Sequence, residues 1–109
     1  LDAAYVSAAR LAIGRLTPEH AAARVHLLAT LGDGEGASSA TALARQMDAQ
    51  TLAALAGILA STGDSRRLRH ALLALRLSGD AQARALLARF AADEARPAAL
   101  RDEVGAWLR

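Results

Sequence analysis

The chain is expected to be all-α: six or seven short antiparallel helices stacked as helical hairpins, a small α-solenoid, with a compact helical bundle as the alternative. Three observations carry this. Helix-start signals recur at Thr17, Asp33, Asp48, Asp64, Asp80 and Pro97, separated by 16, 15, 16, 16 and 17 residues. One beat of that size is one short helix plus a turn, and two beats make a helical hairpin. Three of the signals are Gly-Asp pairs, at Gly32-Asp33, Gly63-Asp64 and Gly79-Asp80. In each, a left-handed Gly is suited to end one helix while the Asp side chain accepts an N–H from the first turn of the next. Finally, 53% of residues are apolar, and Ala and Leu supply most of them. Val, Ile and Thr are scarce, which favours helix over sheet.

Along the chain, helical spacing predicts a first helix over 2–15, with Tyr5, Ala9, Ala12, Ile13 and Leu16 on one stripe. Thr17-Pro18-Glu19 opens the next: a cap, a proline whose missing N–H costs nothing in the first turn, and a carboxylate at the positive helix end. That helix runs to about Leu31 and buries Ala21, Val25, Leu28 and Ala29. The alternating glycines of Gly32-Asp33-Gly34-Glu35-Gly36 form a loop and shorten the third helix to 40–47, with Ser38 or Ser39 as its cap. Asp48 caps a fourth helix striped by Leu52, Leu55, Ala56 and Leu59, with Met47 and Leu52 placed as a hydrophobic staple.

A helix over 65–78 presents Leu68, Leu72 and Leu75, with Leu73 and Leu77 on a neighbouring face. So wide an apolar arc suits a helix packed between two neighbours. A helix over 81–92 presents Ala83, Leu86, Leu87 and Phe90. After Pro97 the last helix turns Leu100, Val104, Trp107 and Leu108 inward.

At 109 residues the chain is one domain, 1–109. It begins with Leu1 rather than Met, and is expected to be a piece of a longer protein. All 13 basic residues are Arg, with no Lys and no Asn, a bias that GC-rich coding explains more simply than selection for guanidinium chemistry. Net charge is only +2. The charge is uneven, however. Residues 1–64 hold four Arg and six acids, residues 65–109 nine Arg and five acids, so the C-terminal half is the basic end. Zero Cys excludes disulfides and thiolate metal sites. The longest apolar run, Leu52 to Ala60, falls short of the roughly 20 residues a membrane span needs. A cytoplasmic setting is expected, with a periplasmic one the alternative.

Residues 27–33 (LLATLGD) repeat at 58–64 (ILASTGD), 31 residues on. An apolar helix ending in Leu31-Gly32-Asp33 and followed by another helix resembles the bacterial HEAT-like repeats of about 30 residues. Residues 52–75 also resemble a tetratricopeptide (TPR) unit through Leu52, Leu55, Ala56, Leu59, Gly63 and Asp64. Leu68 and Leu75 depart from that pattern, standing where the TPR family has small residues. Either resemblance implies a protein-binding scaffold, and neither supplies catalytic residues.

No constellation of reacting groups emerges, and the chain is not expected to be an enzyme or to hold a cofactor or metal. Asp33 and Glu35 have the spacing of the first two ligands of a calcium loop, but Ala37 and Ala44 stand where later ligands belong. His20 and His26 are too far apart for a helical zinc pair, and His70 lies among arginines. The basic cluster Arg66, Arg67, Arg69 and His70, continued by Arg76, Arg84 and Arg89, is the strongest lead. Arg66, Arg69 and Arg76 share a helix face. Arg66, Arg69, Arg76 and Arg84 are therefore the expected partner-binding residues, facing acidic residues of a protein segment held between successive hairpins. Nucleic-acid binding through the same ridge is less favoured, since no exposed aromatic accompanies it for base stacking. A helical accessory domain of a larger enzyme is the third possibility. No residue pattern specifies an oligomeric state.

Overall fold

The computed structural model describes residues 18–109. The helix expected over 2–15, with Tyr5 and the Thr17 cap, lies outside them. Six helices follow one another: α1 Pro18–Ala29, α2 Gly36–Arg45, α3 Ala49–Ser61, α4 Ser65–Ser78, α5 Ala81–Ala92 and α6 Ala98–Leu108. The fold is all-α, with no strand among the described residues. Nor does any described helix have the length and apolarity needed to cross a membrane.

Three helices start where the Asp beat predicts. The Asp48 side chain accepts from Thr51 N at 2.8 Å, Asp64 Oδ1 from Arg66 N and Arg67 N, and Asp80 Oδ1 from Gln82 N at 2.8 Å and Ala83 N at 3.1 Å. Each satisfies N–H groups that no helical carbonyl reaches. Asp80→Ala is accordingly expected to cost about 1 kcal/mol, read as a lower urea midpoint with the helical signal retained. An unmoved midpoint would contradict the role of this cap.

The fourth Asp behaves differently. Asp33 sits in a turn where its carbonyl accepts from Gly36 N at 3.0 Å, and Glu35 occupies the cap position of α2 without a side-chain bond. Helix α2 therefore begins at Gly36, not at residue 40, and Ser38 and Ser39 lie within it. The Ser39 hydroxyl is buried against that of Thr30 at 2.7 Å instead of capping. The expected left-handed glycines reduce to one: among the described residues only Gly79 has positive φ, at 68°. After α3 the turn is extended through Thr62, which needs no left-handed residue.

Helix α4 is the hub. It packs on α2, α3, α5 and α6, and the α2–α4 contact is the most extensive in the fold. Leu68, Leu72 and Leu75 are buried on it as expected, joined by Ala71 and Ala74, whose small side chains let neighbours approach. Leu77, expected on the apolar arc, is 51% exposed. Four neighbours are thus accommodated by small residues rather than by more Leu. Consecutive helices also pair, most closely α5 with α6, except α2 and α3, which make no substantial contact; α3 and α5 also touch little. That sparse contact leaves a groove.

On α1 the buried face is rotated from the expected one. Leu28 packs against the core as expected, but Val25 is 63% exposed and Ala29 is exposed too, while Leu27 packs inward and Leu31, just past the helix, is fully buried. Residues one position apart lie about 100° apart around a helix, and α1 packs mainly on α2, so one neighbour selects a single narrow face. On α6, Leu100 and Val104 are buried but Trp107 and Leu108 are only half-buried.

Candidate protein-binding groove and the surrounding arginines

The groove runs between α3 and α5. On α3 the residues Ala49, Ala53, Ala56 and Ala60 recur at intervals of three or four, so they form one stripe of small side chains. Opposite them on α5 stand Gln82, Ala85, Leu86 and Arg89. Two adjoining hollows of about 450 and 230 Å³ share Ala56, Leu86 and Arg89, making one continuous trough. Its floor includes buried Leu52 and Leu59. At one end Phe90 lies under the Arg96 guanidinium, 5.5 Å from the ring centre, and Arg96 Nε is 3.4 Å from Asp93 Oδ2. Arg89, at the shared centre, is exposed and has no ion pair or hydrogen bond among the described residues. The trough is therefore mixed in character: alanine and leucine side chains line it together with Gln82, Asp93 and Arg96, and an uncommitted cation sits at its middle.

The four arginines singled out from the sequence are distributed differently. Arg66 is exposed in the first turn of α4, where its own N–H is capped by Asp64 and its guanidinium stands alone among the described residues. Arg69, Arg76 and Arg84 all turn toward α6. Arg69 Nη1 donates to Glu103 at 3.0 and 3.3 Å, with the two side chains 55% and 37% exposed. A pair so exposed contributes little to stability, about 0.2–1 kcal/mol. The Arg76 guanidinium lies over Trp107, 4.8 Å from the ring centre. Arg84 Nη2 donates to the Leu108 carbonyl at 2.8 Å, satisfying an acceptor that the end of α6 leaves open. Arg69, Arg76 and Arg84 thus contact the second half of the last helix, from Glu103 to Leu108, and only Arg76 and Arg84 converge on one cleft, with Trp107.

His70 serves packing. A carbonyl only accepts, so the His70 Nδ1–H donates to Leu31 O, at 2.6 Å, tying the α1–α2 turn to α4. Asp33 and Glu35 are exposed in the loop. No group of three or more metal-donor side chains gathers among the described residues.

The sequence predicts a partner segment held between successive hairpins, but it does not place the groove between α3 and α5 or single out the alanine stripe that lines it. Four Ala at helical spacing read as a close-packing face, and only the separation of α3 from α5 turns that face into a trough. Arg89 appeared merely as a continuation of the basic cluster. No protein family, curated protein or solved structure matches the chain.

Proposed function

We propose that this domain is a helical-repeat protein-interaction module of the HEAT-like or TPR-like kind, which holds an amphipathic helix of a partner protein in the α3–α5 groove. The observation that carries the reading is the trough, lined by Ala53, Ala56, Ala85 and Leu86 and centred on the uncommitted Arg89. Small side chains along a groove admit a helix backbone closely, and the apolar floor takes its hydrophobic stripe. Arg89, with Arg66 adding to the basic field further off, favours an acidic flank on that helix.

The test uses a designed helical peptide of about five turns with a Leu/Ala stripe and Glu flanks, titrated into isotope-labelled domain. Saturable amide shifts at Ala53, Ala56, Ala85 and Arg89 are expected, with weaker binding when the flanks are Lys. Ala53→Trp should block the groove and abolish binding, and Arg89→Glu should weaken the acidic peptide about fivefold. Shifts confined to other faces, or no preference between Glu and Lys flanks, would refute the reading. Salt-sensitive binding of a DNA duplex in place of the peptide would replace it with the nucleic-acid alternative.

A further inference from the structure

A second concavity lies away from the groove, between the end of α4, the start of α5 and the last turn of α6. We propose that it is a binding site for a small carboxylate carrying an apolar body. Its volume is about 260 Å³, below the roughly 300–1,000 Å³ of pockets that take drug-sized ligands, so the ligand is compact. Leu75 and Leu87 lie almost wholly buried behind its walls, so the half-buried Trp107 and Leu108 supply the apolar surface it exposes. Gly79 lies at the mouth. Its φ of 68° favours Gly, and a Cβ there would meet nothing within 4 Å, so the cleft stays open on that side.

Two guanidinium groups and one carboxylate line this cleft. Asp80 Oδ1 is engaged with two N–H groups of the first turn of α5, so its charge is largely directed to the helix end. The Arg76 guanidinium lies over Trp107, and it makes no hydrogen bond among the described residues. A guanidinium stacked by its face keeps its N–H donors around its edge. Arg84 spends one of its five N–H groups on the Leu108 carbonyl. The cleft therefore offers unspent, charge-bearing donors beside an aromatic and aliphatic wall, the combination that orients a carboxylate with its hydrophobic end inward. The one net positive charge matches a monocarboxylate better than a phosphate dianion. This site shares no lining residue with the α3–α5 groove, and it stands whether or not that groove binds a helix.

Trp107 is the only Trp in the chain, so its fluorescence reports on this cleft selectively. Titration with sodium phenylacetate is expected to give a saturable change in emission with Kd of about 1 mM, and to raise the unfolding temperature. Phenylacetamide, lacking the charge, and acetate, lacking the ring, should bind at least about tenfold more weakly, a loss of about 1.4 kcal/mol. Arg84→Met should abolish the response and Arg84→Lys weaken it, with circular dichroism showing retained helix. Should Arg84→Met unfold, Arg76→Gln reads the same loss. An acetylated tripeptide ending in Phe separates two sources of the carboxylate. Tighter binding than phenylacetate assigns a protein C-terminus, and weaker binding assigns a small metabolite. Equal binding of phenylacetamide, equal competition by inorganic phosphate, or no saturable change would overturn the proposal.

Discussion

Gly36→Ala is expected to be the most damaging conservative substitution in the described chain, lowering stability by about 3 kcal/mol. In a domain of this size that corresponds to a fall of roughly 10–20 °C in Tm. Gly36 is buried in the first turn of α2, and a Cβ there would overlap both the Leu31 carbonyl oxygen and the His70 ring. Neither neighbour can retreat cheaply. The carbonyl belongs to the backbone of the α1–α2 turn, and the ring is held to that carbonyl by the Nδ1–H bond. Moving the ring breaks the bond, and moving the backbone separates α2 from α4, the most extensive helix contact in the fold. Gly34→Ala is the control: nothing lies within 4 Å of its Cβ position, and its φ is not positive. Thermal unfolding followed by circular dichroism separates the two. Equal Tm values for both variants would show that Gly36 is not a packing constraint.

Leu72→Ala should lower stability by about 3–4 kcal/mol, within the range for large-to-small changes at fully buried leucines. Leu72 has no exposed surface and stands on the helix against which α2, α3 and α5 all pack. Leu77→Ala on the same helix is expected to move stability by less than about 0.5 kcal/mol, because half of Leu77 is already in water. The comparison is informative because helical spacing alone assigns both leucines to one broad apolar arc. Similar losses for both in chemical denaturation would mean that Leu77 is covered in solution, and the assignment of α4's outer face would fall.

These two experiments probe different kinds of sequence information. The helices over 49–61, 65–78, 81–92 and 98–108 were legible because caps and stripes act within one or two turns. Asp48, Asp64 and Asp80 each bond an N–H two or three residues on, a contact written directly into the local order of residues. The start of α2 was illegible because its reason is remote. A Gly-rich stretch reads as loop, but Gly36 is helical here since only a residue without a side chain fits under His70, 34 positions away in sequence. Val25 failed for a related reason. On an Ala-rich helix several faces are nearly equal in hydrophobicity, and the neighbour chooses among them.

The arginines show the same division. Sequence alone identified a basic C-terminal half and placed Arg66, Arg69 and Arg76 on one face of a helix. It did not reveal that Arg69 meets Glu103, that Arg76 covers Trp107, or that Arg84 reaches the Leu108 carbonyl. A guanidinium on a flexible stem finds whichever partner the packing of helices brings within reach, and here that partner sits on α6.

By itself, then, the sequence determined the all-α class and the capped helix starts at Asp48, Asp64 and Asp80. Tertiary structure alone decided the register of α2, the outward face of α4, the trough between α3 and α5 and the cleft at Trp107. Caps and periodicity are short-range, set by hydrogen bonds and side-chain stripes within a few residues. Grooves and clefts arise from how far apart two helices come to rest, and in an Ala/Leu-rich chain that distance is set by the summed packing of side chains distant in sequence.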